Sequence, residues 1–79
     1  MTKEVVFEDL KTILSTVKPS VRPESLTPES RLVEDLAIDS LSILLMSISI
    51  ENKYGFQFEG VPQFKTVGDV IDHIIGKTA

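Results

Sequence analysis

The chain has no cysteine and no tryptophan, and only one histidine and one tyrosine among its 79 residues. Without Cys it has no disulfide framework, no thiolate metal site and no thiol nucleophile of its own, so thiol chemistry would require an attached group. A lone His73 has no second His or Cys to join in a metal cluster, and the carboxylates are too scattered to complete a nucleophile–base pair. Neither catalytic residues nor metal ligands are expected, so the chain reads as a non-enzyme. No apolar run approaches the roughly 20 residues that a membrane span needs, and the N-terminus is polar and charged. That predicts a cytoplasmic chain with neither leader nor membrane anchor. Basic residues are the minority, eight against twelve acids for a net charge of −4. This argues against nucleic acid as a partner and favours basic partners.

Apolar residues make up 42% of the chain, too many for a disordered segment, and the length fits one domain over residues 1–79. A chain this short buries only about 60% of its unfolded surface, so it needs every amphipathic face it has. From Thr2 to Val17, Val6, Phe7, Leu10, Ile13, Leu14 and Val17 recur at helical spacing with charges between them. Pro19 ends this helix, and Pro23 and Pro28 keep the next stretch irregular, as a long loop reaching residue 39. Val21, Leu26, Leu32, Val33, Leu36 and Ile38 are the side chains that would pin such a loop, and Thr27-Pro28-Glu29 predicts one short turn.

Near the C-terminus, Thr66 caps a last helix with Asp69 in capping-box position, Val67, Val70, Ile71, Ile74 and Ile75 form its stripe, and Gly76 is its expected stop. His73 falls off that stripe beside Asp72, which predicts a solvated imidazole. The segment from Phe56 to Phe64 has no clean period and reads as an irregular turn or at most one turn of helix, its aromatics closing the core. The fold class is all-α: a small four-helix bundle of three main helices and a short irregular third segment, with a long loop between helices 1 and 2.

The second helix, from about Ser40 to Tyr54 with Gly55 as its C-cap, is apolar on two sides. At helical spacing Ile43, Met46, Ile50 and Tyr54 share one arc, while Leu41, Leu44, Leu45 and Ile48 share another almost opposite. Ser42, Ser49 and Lys53 separate the arcs on one side, Ser47 and Glu51 on the other. Such a helix is buried on both faces or exposes one for a partner. The expectation is an exposed strip of Leu41, Leu44, Leu45 and Ile48. The alternative is that the long loop folds over part of it.

Asp39-Ser40-Leu41 joins loop to helix. A helix N-terminus presents unpaired N–H groups and partial positive charge, so Asp or Ser there caps the helix, and an anionic group attached there is stabilised. On these residues alone a plain N-cap stays open. The longer run Ser30-Arg31-Leu32-Val33-Glu34-Asp35-Leu36-Ala37-Ile38-Asp39-Ser40-Leu41 resembles the segment around the modified serine of acyl carrier proteins, where Leu-x-x-Asp-Leu precedes a short spacer and Asp-Ser-Leu. The size and helix layout of the chain are similar to that family over nearly its whole length.

The resemblance implies a carrier of acyl intermediates, held as thioesters on a 4′-phosphopantetheine arm that a phosphopantetheinyl transferase attaches to Ser40, with Asp39 in support. It implies docking of acyl-loading and acyl-processing enzymes on Leu41, Leu44, Leu45, Ile48 and Glu51, and an acyl pocket drawn from Met46, Ile50, Phe58 and Val61. A monomer is expected. Three departures stand out: Ser42 and Leu45 where the family has acids, Ala37-Ile38 without the Gly frequent in that spacer, and a shortened stretch between Phe58 and Val67. They point to a specialised member of a fatty-acyl, lipid or polyketide-type pathway. Two alternatives share these features: a peptidyl or aminoacyl carrier, and an unmodified helical interaction module in which Ser40→Ala would be silent.

Overall fold

The structure, a computed structural model, describes residues 2–58 and 64–78. Among them are three α-helices and no strand: α1 (Lys3–Val17), α2 (Ser40–Tyr54) and α3 (Val67–Thr78). The expected irregular third segment falls largely on residues 59–63, outside the described residues, and Phe56 to Phe58 before it carry no regular structure. Among the described residues the bundle is therefore one of three helices.

Helix α1 starts where Thr2, in extended conformation, accepts a hydrogen bond from Val5 N–H, and it ends at Lys18, one residue before Pro19. Its buried stripe is Val6, Leu10, Ile13 and Leu14, and it packs against both other helices. Helix α2 adds Met46 and Ile50 to this core, and α3 adds Val67, Val70, Ile71 and Ile74. At the far end of α2 the Tyr54 hydroxyl donates to Asp9 of α1 at 2.5 Å, and Gly55 takes the left-handed conformation, φ 76°, that closes the helix.

The loop between α1 and α2 is a structural layer in its own right. Val21, Leu26, Leu32 and Ile38 are buried in the common core, and Leu36 is half-buried against it. Main-chain bonds tie the same loop to the start of α3: Leu32 N–H to Lys65 O at 2.9 Å, Val67 N–H to Ser30 O at 3.0 Å and Gly68 N–H to Pro28 O at 2.8 Å. A side chain at position 68 would place its Cβ 3.0 Å from that same Pro28 oxygen, so the close approach depends on glycine.

Four expectations need correction. Val33 points outward, 55% exposed, because the turn from Arg31 to Leu36 puts Leu32 and not its neighbour into the core. The stretch around Pro23, expected to be irregular, holds a 3₁₀ turn at Pro23–Ser25 with proline at the first position, whereas the short turn expected at Thr27-Pro28-Glu29 does form, with Ser30 N–H donating to Thr27 O at 3.0 Å. Gly76 does not stop α3, which runs two residues further, with Thr78 Oγ1 donating to Ile74 O at 2.9 Å; glycine inside a helix costs only about 1 kcal/mol. His73 is not solvated. It is half-buried, its ring stacked on Phe58 at 5.1 Å and flanked by Phe64 at 5.4 Å and Phe56 at 6.2 Å, with Nε2 buried and without a hydrogen-bond partner among the described residues.

Candidate functional site

The geometry around Ser40 starts at Leu32 and Ile38. Both side chains are buried, and Ile38 N–H donates to Leu32 O at 2.9 Å, so the loop just before α2 is anchored. Arg31 and Asp35 clasp the same turn: Asp35 Oδ2 accepts from Arg31 N–H at 2.8 Å, and the guanidinium lies 3.2 Å from Oδ1. The Arg31 main-chain and side-chain donors hold the Asp35 carboxyl below its usual range. Ala37 then turns with φ 54°, the left-handed region that a side chain disfavours.

Of the two capping candidates, Asp39 takes the role. It is extended, and its Oδ1 accepts from Ser42 N–H at 2.8 Å. That bond, aided by the field of Lys18, holds the Asp39 carboxyl below its usual range, so it is ionised at neutral pH. Ser40 is the first residue of α2 and is exposed. Its hydroxyl stands at the positive end of a 15-residue helix, a position that stabilises an attached phosphodiester. An exposed hydroxyl with the cap already supplied by its neighbour fits a covalent phosphopantetheinyl group.

Beyond Ser40 the two arcs of α2 part company. Leu41, Leu44, Leu45 and Ile48 are 65%, 46%, 43% and 44% exposed. Met46 and Ile50 are fully buried, with Ile43 and Tyr54 half-buried beside them. Ser47, expected on a polar strip, is buried and returns its hydroxyl to Ile43 O at 2.8 Å. Glu51 departs from its expected place in the docking strip. Its Oε2 accepts from Phe58 N–H at 2.7 Å, so the carboxylate is turned onto the protein's own chain just past the helix.

Of the expected pocket residues, Met46 and Ile50 lie together in the core, Phe58 sits half-buried in the aromatic cluster with His73, and Val61 lies outside the described residues. Sequence reasoning missed His73 in this cluster, although three phenylalanines within nine residues pointed to an aromatic assembly that needs a lining. It also missed the left-handed Ala37, for which the family's frequent Gly in that spacer was the available signal.

The model of the family described as phosphopantetheine attachment site matches residues 5–74. The acyl carrier protein of Coprothermobacter proteolyticus is 43% identical over 76 residues, covering 94% of this chain and 92% of that protein. The meromycolate extension acyl carrier protein of Mycolicibacterium smegmatis is 37% identical over 75 residues, covering 92% and 75%. The acyl carrier protein of Wolinella succinogenes is 34% identical over 71 residues, covering 87% and 92%. The chain belongs to the acyl carrier protein family, whose members carry acyl groups as thioesters on a covalently attached 4′-phosphopantetheine.

Proposed function

We propose that Ser40 is the residue that carries the arm. The single observation behind this is the division of labour at the start of α2: Asp39 caps the helix through Ser42 N–H, which leaves the Ser40 hydroxyl exposed and uncommitted. Ser40 Oγ takes the phosphopantetheinyl group from coenzyme A on a transferase, with adenosine 3′,5′-bisphosphate leaving and the hydroxyl proton passing to a base on that enzyme. Asp39, ionised and pinned, holds the serine at the mouth of the helix and offers a carboxylate beside the reacting phosphate and any metal the transferase brings. When bound, the group supplies the thiol that this chain lacks.

The protein itself then catalyses nothing. It holds an intermediate near the enzymes that dock beside it and so raises its effective concentration. Leu41, Leu44, Leu45 and Ile48 form the docking strip for the transferase and for acyl-loading and acyl-processing enzymes. Covering each such side chain contributes on the order of 1–2 kcal/mol, enough for a transient complex after association costs are met. Met46, Ile50, Phe58 and Val61 are the side chains that an internal acyl chain would displace. The chain works as one domain, as a cytoplasmic monomer, and no helix among the described residues is long and apolar enough to cross a membrane. The uncharged start of α2 supports a specialised acyl pathway over general fatty-acid synthesis.

Intact mass before and after incubation with coenzyme A and a broad phosphopantetheinyl transferase tests this. The wild type should gain one phosphopantetheinyl group and Ser40→Ala none, with its helical circular dichroism unchanged. A gain in Ser40→Ala would move the attachment to another hydroxyl.

A further inference from the structure

Net charge alone favours a basic partner; the structure argues otherwise for the face that meets it. Positions 40 to 50 of α2 carry no charged residue at all. Of the carboxylates at either end of that stretch, Asp39 already lies on Ser42 N–H, Asp35 on Arg31 and Glu51 on Phe58 N–H, while Glu34 is exposed in the turn before Ser40. What the surface offers is Leu41, Leu44, Leu45 and Ile48, each more than two-fifths exposed, at i, i+3, i+4 and i+7. That spacing makes one straight stripe about 10 Å long, two turns of helix, starting next to Ser40. Any enzyme that receives a group held at Ser40 is brought against this stripe.

We infer that the phosphopantetheinyl transferase serving this carrier receives the Leu41, Leu44, Leu45 and Ile48 stripe in an uncharged apolar groove, and that electrostatic attraction along that stripe contributes little to docking. The inference rests on Ser40 being the attachment point. A lysine or arginine facing Leu44 or Leu45 would lose water and gain no carboxylate in return, an unpaired burial that is strongly unfavourable. An apolar groove removes four large side chains from water at once and needs no counter-charge. Docking governed by burial is insensitive to salt, whereas docking governed by exposed charge weakens as salt screens it.

The test uses the unmodified protein and the phosphopantetheinyl transferase of the source organism, without coenzyme A, and measures Kd by titration calorimetry. Raising sodium chloride from about 50 mM to about 500 mM should change Kd by less than about twofold. Leu45→Glu and Leu45→Lys should each weaken binding at least about tenfold and by similar factors, with Leu45→Met close to wild type. Position 45 is solvent-facing, so these variants keep the fold, checked by thermal melts. A tenfold loss of wild-type affinity with salt, opposite effects of Glu and Lys, or no binding by the folded wild type would each overturn the inference. Coenzyme A is then added to the wild type: failure to load in a complex that still binds in this way removes the Ser40 assignment and leaves the apolar docking standing.

Discussion

The two arcs of α2 are made of the same kinds of residue and have opposite fates. Met46 and Ile50 are fully buried, while Leu44, Leu45 and Ile48, on the same two turns, are 46%, 43% and 44% exposed. Hydropathy cannot tell them apart; topology does. Helix α1 packs on one side only, and the loop that could have covered the other spends its apolar side chains, Val21, Leu26, Leu32 and Ile38, inside the common core. The difference between core and exposed face is therefore decided by what the loop reaches, and it ends beside Ser40 with the outer arc left bare.

The sharpest way to break this comparison is one truncation on each arc. Ile50→Ala should destabilise by about 3 kcal/mol, since it removes a fully buried side chain and leaves a cavity. Leu44→Ala should stay within about 0.5 kcal/mol of wild type and show its loss in partner docking instead. Urea denaturation of both variants checks it. Equal losses of stability would mean that the outer arc is covered in solution.

Tyr54 closes the inner arc through its bond to Asp9, and Tyr54→Phe should cost about 1–2 kcal/mol, because the acceptor is a carboxylate in a half-buried place. The same bond carries a pH signature. Burial first, and Asp9 second, push the Tyr54 hydroxyl above its usual value of 10.0, so the folded state holds this proton more tightly than the unfolded chain. Its stabilising contribution is complete below pH 10.0 and declines as pH rises beyond it. Thermal melts between neutral pH and about pH 11 should fall faster for the wild type than for Tyr54→Phe. Parallel curves would show that the hydroxyl is free in solution.

What was legible beforehand follows from how local each feature is. The limits of α1 and α2 depend on Thr2, Pro19, Asp39 and Gly55, whose effects act within one turn, and these could be read directly. Whether Asp39 or Ser40 caps could not, since both residues suit the position; the backbone conformation at Asp39 decides it. Glu51 looked like a surface acid because its partner, Phe58 N–H, lies in a segment without periodicity. His73 was misplaced for a related reason: a helical wheel records only α3, and the rings that enclose the imidazole come from either side of residues 59–63. Val33 and Leu32 are adjacent in an irregular loop, where no period says which points inward.

That enclosure gives a third test. His73 Nε2 is buried and has no partner among the described residues, and such a nitrogen loses its hydration and gains nothing in exchange, whereas a phenyl ring of similar size has no such group. His73→Phe should therefore stabilise the chain by about 1 kcal/mol, extending the aromatic cluster with Phe58 and Phe64. A loss of stability on the same urea scale would indicate that Nε2 does have a partner in solution.

The smallest expected effect lies at the hinge between the anchored loop and the exposed arc. Ala37 holds φ 54°, a conformation that costs a residue with a Cβ roughly 1 kcal/mol or more, and glycine adopts it freely at the expense of a looser unfolded chain. The first effect outweighs the second wherever φ is fixed as positive, and here it is fixed from both sides: Ala37 N–H donates to Val33 O at 3.1 Å, and Ile38 is buried with its N–H on Leu32 O. Ala37→Gly should thus raise stability by about 0.5 kcal/mol while leaving the rate of Ser40 loading unchanged, because the anchors that place Asp39 are untouched. If stability rises and loading slows, the strained alanine is holding Ser40 in its exposed pose, and the bare outer arc and the attachment point are set by the same turn.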